Sequence, residues 1–180
     1  MDTSFQSLKE EIHSGEAHGR LKILIIGHGG HGKDTVARGI SEDMGYRWTS
    51  SSRFIAKKVI FPLVSDLYPN WQAAYSDRAS HREMWFHAIR AYNLRPGPML
   101  AEQILMNHEI YVGMRSRTEF ERSRALFDLT IWVDRSDFLR QEPPGSMELN
   151  SSDADRFLDN NGSIHQLKGR TPSIICGPHC

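Results

Sequence analysis

Cysteine is nearly missing from this chain. Its 180 residues hold two, Cys176 and Cys180, both within the last five positions. Placed there they cannot staple a core, and nothing calls for an oxidising compartment. Excess charge of one sign is missing as well, since 22 Lys and Arg face 22 Asp and Glu. A protein held on nucleic acid by bulk charge should be basic, so any contact with DNA has to come from a local patch. Long apolar runs are absent too. The longest, Ile23–Ile26, is far below the ~20 residues that span a bilayer. Met1-Asp2-Thr3-Ser4 leads to Lys9-Glu10-Glu11 without the apolar stretch of a secretory signal. These absences predict a soluble protein of the cytoplasm with no membrane partner. With 39% hydrophobic and 24% charged residues, the composition is that of an ordinary folded chain. Its length suits one domain with a sizeable core.

What is present alternates between strand and helix patterns. Residues 1–20 read as an N-terminal arm or helix, with Phe5, Leu8 and Ile12 at helical spacing. Residues 21–26 are β-branched and almost wholly apolar, as in a central parallel strand buried on both faces. A glycine-rich turn follows, then a helix over Lys33–Met44 that Gly45 can end. Further strands are predicted over 46–49, 110–112, 129–133 and 156–158. Helices are predicted over 53–67 (divided by Pro62), 78–92, 99–107 and 118–125. Residues 135–152, with Pro143-Pro144-Gly145, read as a loop, and 169–180 as an irregular C-terminal tail. This alternation predicts a three-layer α/β/α domain over 21–168 around a mainly parallel five-stranded sheet. Ligands then belong at the carboxyl ends of the strands.

Chemistry concentrates in Gly27-His28-Gly29-Gly30-His31-Gly32-Lys33-Asp34-Thr35. The segment satisfies G-x-x-x-x-G-K, the phosphate-loop (Walker A) pattern, and lies where that pattern works, after a buried strand and at a helix start. Glycines let the backbone curl so that successive N–H groups aim at phosphate oxygens, and the helix N-terminus adds positive potential. Lys33 is placed to reach the β- and γ-phosphates of ATP. All nine residues are accordingly assigned to nucleotide binding. The bland alternative is a glycine-rich turn without a ligand, and four glycines with a lysine at the required step weigh against it. One departure stands out: the usual Ser or Thr directly after the lysine is replaced by Asp34, and Thr35 comes second. Thr35 is assigned to Mg²⁺, directly or through water. Asp34 contacts metal-bound water, acts on a substrate hydroxyl, or caps the helix. His28 and His31 either fill the loop or add donors over the phosphates. Two histidines without further convergent ligands make a poor zinc site, and Cys176, His179 and Cys180 in the tail carry no metal assignment.

At Gly-His-Gly-Lys-Asp-Thr-Val-Ala, residues 30–37, the chain resembles the nucleotide-kinase branch of P-loop proteins, including phage deoxynucleoside monophosphate kinases. The resemblance continues at Thr49-Ser50-Ser51-Ser52-Arg53-Phe54, where such kinases enter their acceptor-binding helices. More closely, His-Gly-Lys-Asp-Thr, Tyr-Val-Gly-Met-Arg-Ser-Arg (111–117), Ile-Trp-Val-Asp (131–134) and Asp-Asn-Asn-Gly (159–162) resemble phage kinases that phosphorylate 5-hydroxymethyluracil already in DNA. Those enzymes serve thymidine hypermodification. The likeness covers about residues 21–168. It implies an ATP- and Mg²⁺-dependent P-loop kinase, acting in the host cytoplasm if phage-encoded. DNA containing 5-hydroxymethyluracil is then the preferred partner, and a free deoxynucleoside monophosphate the alternative. A module that senses ATP without turnover is a third reading.

Within that frame Lys33, Asp34 and Arg115 are the catalytic candidates. Arg53 and Arg115 offer paired donors to an acceptor phosphate, with Arg117 as a third, and Phe54 is the aromatic set to stack on a base. A hydroxyl acceptor benefits from a carboxylate that takes its proton. Asp34, Asp77, Glu83 and Asp134 are candidates, Asp34 first because it adjoins the transferred phosphoryl group. The segment 135–152 carries only Arg135 and Arg140, a weakly basic lid that leaves room for a polymer. Arg78, His81, Arg82, His87 and Arg90 form either a basic edge for a DNA backbone or a solvated helix face. Trp48, Trp71, Trp85 and Trp132 are mostly core candidates.

Overall fold

The structure, a computed structural model, describes residues 20–143 and 145–176. The predicted arm over 1–20 lies outside the described residues except for Arg20, as do His179 and Cys180. Five strands alternate with helices: β1 (Ile23–Ile26), α1 (Lys33–Met44), β2 (Trp48–Ser50), α2 (Ser51–Ile55), α3 (Trp71–Ser76), α4 (Arg82–Leu94), α5 (Leu100–Leu105), β3 (Ile110–Val112), α6 (Arg117–Ser123), β4 (Leu129–Asp134), β5 (Arg156–Asp159) and α7 (Ile164–Cys176). The sheet order is β2-β3-β1-β4-β5, and every pairing is parallel. Leu24 sits between Tyr111 of β3 and Thr130 of β4, so β1 is the centre of the sheet.

Alternation along β1 explains the layers. Leu24 and Ile26 face one core, with Ile55, Trp85, Leu100, Ile104 and Phe120 from α2, α4, α5 and α6. Ile23 and Ile25 face the other, with Val36, Ala37 and Ile40 of α1 and Leu167 and Ile174 of α7. Successive side chains of a strand point to opposite faces, and all four β1 residues are fully buried. The predicted three-layer α/β/α domain is therefore the observed fold, with a sheet parallel throughout. Trp85 and Trp132 belong to its core.

Boundaries moved by a few residues, for identifiable reasons. The helix predicted over 53–67 starts at Ser51, where the Ser50 side chain accepts a hydrogen bond from the Arg53 N–H. It then widens into a π-helical turn at Ala56–Ile60 before Phe61–Leu63. Pro62 has no N–H, and its ring would strike the carbonyl four residues back in a regular helix. The helix predicted to begin at Arg78 begins at Arg82, after a tight turn over Asp77–Ala79. The tail expected to be irregular from residue 169 is a correction: α7 runs through to Cys176. Leu167 and Ile174, two helical turns apart, are buried against α1 and the sheet. That burial outweighs the helix-weakening Gly169.

At the opposite end of the sheet from the loop, Glu109 clamps the starts of β2 and β3. It accepts from the Arg47 backbone N–H at 2.8 Å and from the Arg47 guanidinium at 2.7 Å. Burial alone would raise this carboxyl, but those bonds and the Arg47 charge hold it down at about 2.

Candidate functional site

The glycine turn joins β1 to α1 at the carboxyl end of the sheet, and the strand ends beside it leave no room for side chains. Gly27 has φ +141°, and a Cβ there would lie 2.4 Å from the Val133 carbonyl oxygen of β4. Gly32 has φ +94°, and a Cβ there would meet Asn160 Nδ2 at 2.3 Å. That same Nδ2 donates to the His31 carbonyl at 2.9 Å. Chain leaving β5 thus presses the loop from behind. Among the described residues no side chain caps α1, so the reading of Asp34 as a cap is set aside.

Lys33 folds back over the loop. Its Nζ donates to the carbonyls of Gly27 at 2.6 Å and His28 at 2.5 Å. Burial, helped by the neighbouring Arg115 charge, brings its pKa down to about 8. The ammonium is thus held charged at neutral pH inside the curl of the loop, where a polyanion would meet it.

Both loop histidines are buried and act as fasteners. The Arg135 backbone N–H donates to His31 Nδ1 at 2.9 Å, and the Glu142 N–H donates to His28 Nδ1 at 3.1 Å. Their rings meet edge to face, and His28 also packs so on Trp132. Burial first of all lowers both pKa values, as suits rings that accept hydrogen bonds. Neither appears in the wall of the cavity.

A cavity of about 760 Å³ opens beside the loop. Gly29, Gly30, Gly32, Lys33 and Asp34 form its donor end. Trp85, Phe86 and Ile89 of α4 give it an apolar wall, and Arg78, Arg82, Arg90, Arg115 and Arg122 bring cations to it. Three arginines of the predicted basic edge thus turn toward one cavity. His81 instead pairs with Asp77, and His87 with Glu83.

Of the predicted acceptor residues, the structure brings Arg115 alone to the cavity. Arg53 lies over the Trp48 ring, 4.7 Å from its centroid, and Phe54 packs edge to face on Tyr92 at 6.2 Å. Arg117 is spent on its neighbours: it pairs through both nitrogens with Asp153 and donates its backbone N–H to Glu148 at 2.7 Å. Thr35 lies one residue beyond the cavity wall, whereas Asp34 is part of it. Among the carboxylates, Glu83 also lines the cavity. Asp77 instead accepts from the Tyr68 hydroxyl, and Asp134 from Ser136 and Asn161.

Three carboxyl groups at the cavity gave no signal in the sequence, Glu119, Glu142 and Glu148. Glu119, on α6, is 6% exposed and accepts from the Tyr111 hydroxyl at 2.8 Å. Burial pushes its pKa up. An acid raised by folding binds more protons folded than unfolded between its ordinary value and the raised one, so stability falls as pH rises across that window. Glu119→Gln keeps an acceptor for Tyr111 and carries no charge. It is expected to melt above the wild type at pH 8 and to match it below about pH 4. A variant that melts lower than wild type at pH 8 would contradict this account. The second, Glu142, follows β4. Its Oε2 accepts from the Gly29 N–H at 2.7 Å and its Oε1 from Arg115 at 2.8 Å.

The chain matches no protein-family model and no curated protein. Among solved structures it is similar to shikimate kinase from Aquifex aeolicus vf5, at 14% identity and TM-score 0.48 over 86% of this chain and 96% of that one. It is also similar to a sugar kinase from Janibacter sp. HTCC2649, at 15% identity and TM-score 0.45 over 86% and 93%. At that distance neither likeness bears on chemistry or acceptor. Among the described residues no helix is long and apolar enough to cross a membrane.

Proposed function

We propose that this chain is an ATP-dependent kinase whose acceptor is the 5-hydroxymethyl group of 5-hydroxymethyluracil in DNA. One observation carries the phosphotransferase reading: a glycine turn shaped by two strand ends, with Lys33 folded into it, opens onto a cavity with an apolar aromatic wall and arginines. The turn suits a triphosphate, the wall suits a flat base, and the arginines suit phosphates. The hydroxymethyl acceptor itself rests on the motif resemblance, supported by exposed Arg82 and Arg90 at the cavity edge.

In the reaction the hydroxymethyl oxygen attacks the γ-phosphorus while the bond to the β,γ-bridging oxygen breaks, and ADP leaves. The acceptor proton passes to the carboxylate of Asp34, which lines the cavity beside Lys33. Lys33 and the loop amides stabilise charge on the transferred group, and Arg115 orients the acceptor side. Thr35 would hold Mg²⁺, directly or through water, and the ion neutralises phosphate charge when bound. The described residues contain no cluster of three ligand side chains, as fits an ion held by one or two oxygen ligands plus phosphates.

The arginine lining of the cavity favours one rival, transfer to a free deoxynucleoside monophosphate. Incubation with γ-labelled ATP and either DNA containing 5-hydroxymethyluracil, dTMP or no acceptor separates the readings. Label on the polymer is the expected result. Label on dTMP alone overturns the acceptor, and ATP binding without transfer to either overturns the kinase.

A further inference from the structure

Glu142 touches both halves of the cavity at once. Its backbone N–H is anchored on His28 Nδ1 at 3.1 Å, which aims the side chain into the loop. One carboxylate oxygen takes the Gly29 amide at 2.7 Å, at the donor end. The other takes Arg115 at 2.8 Å and stands 3.5 Å from Arg82, at the acceptor end. The side chain is 11% exposed. Burial would raise its pKa, but Arg115 and the Gly29 amide hold it below the usual carboxylate range, so it is an anion at neutral pH. A carboxylate seated on a loop amide stands where a phosphate oxygen belongs.

We propose that Glu142 couples the two halves of the site: its carboxylate ties the loop amide to Arg115, and an anion entering either half displaces it and readies the other. The inference rests on the reading of the loop as a triphosphate cradle. One Gly29 N–H cannot serve a carboxylate and a phosphate together, and two anions there repel. A triphosphate on the loop therefore drives Glu142 off, which frees Arg115 and Arg82 for an acceptor phosphate. An acceptor phosphate that takes Arg115 removes the partner holding Glu142 on the loop. The coupling must be reciprocal, because linkage makes each ligand change the affinity for the other by the same factor. It is heterotropic positive cooperativity without a domain motion.

The test is a fluorescent-ATP titration with Mg²⁺, with and without saturating dTMP, which supplies an acceptor-side phosphate under either acceptor reading. In the wild type dTMP is expected to tighten nucleotide binding about tenfold. Glu142→Ala should already bind about tenfold tighter without dTMP and gain little from its addition. Glu142→Gln, which keeps the shape and removes the charge, should fall between them and guards against misfolding of the alanine variant. A side chain that merely props the loop predicts the reverse, weaker binding in Glu142→Ala, and that result overturns the proposal. Equal affinities and equal dTMP effects in all three proteins overturn the coupling while leaving the nucleotide reading intact. No nucleotide binding by any of them overturns both.

Discussion

Gly27→Ala is expected to lower the unfolding free energy by about 3–5 kcal/mol, near the upper end for a single substitution. Two costs add. The φ of +141° lies where an L side chain is strained, at about 1–3 kcal/mol. The new Cβ would also stand 2.4 Å from the Val133 carbonyl oxygen, which cannot give way cheaply. Val133 is fully buried in β4, and its neighbour Trp132 is in register with Ile26, the residue before the glycine. Either β4 shifts against β1 or the loop lifts away from it. In a domain of this size each kcal/mol moves the melting temperature by about 2–4 °C, so a fall of roughly 10 °C is expected, together with loss of nucleotide binding. Gly145→Ala is the control. A Cβ there meets nothing within 4 Å, and its effect should stay within about 0.5 kcal/mol. Equal melting temperatures for the two variants would refute the close approach at Gly27.

Lys33→Met is expected to reduce phosphoryl transfer by at least about a hundredfold, as loss of a preorganised charge-stabilising donor does elsewhere. Stability should move little, by less than about 4 °C, the equivalent of ~1 kcal/mol. The ammonium's bonds to Gly27 and His28 are offset by the burial that lowers its pKa to about 8. The sign follows from linkage: between pH 8 and the ordinary lysine value the unfolded chain holds the proton more firmly, so wild-type stability rises with pH across that window. Nucleotide affinity should run the other way, falling above about pH 8 as Lys33 loses its charge in the free protein. Lys33→Met should lack that pH step. A variant that keeps wild-type transfer, or that shows the same pH step, would show that the ammonium does not serve the phosphates.

Local pattern in the sequence was enough for the loop and its setting. The run of residues 21–26 reads as a strand buried on both faces, because nearly every side chain is apolar, and Ile23–Ile26 is that strand. Spacing of glycines and lysine placed the turn at the start of α1, since those residue types answer to backbone geometry rather than to distant neighbours. Pro62 announced a disturbed helix, realised as a π-helical turn. Helical spacing also placed Trp85 in the core. Residues 169–176 are helical against the local pattern, because Gly169 argues against helix while Leu167 and Ile174 find their partners on α1 and the sheet.

The charged groups of the cavity were decided by tertiary structure. Arg53 and Arg117 have the right chemistry for phosphate, yet Trp48 and Asp153 lie closer and hold them. Glu142 looks like any loop acid, and the glycine amide it occupies is 113 positions away in the chain. Glu119 becomes a buried acid only because Tyr111 meets it across the fold. Hydrophobic period and glycine spacing report the backbone a segment adopts, and so by itself the sequence determined the α/β layers and the glycine turn between β1 and α1. A surface-type charge has no period. Its partner is whichever opposite group the packed layers bring within about 3 Å, so only the folded chain decided which carboxylates and arginines share the site.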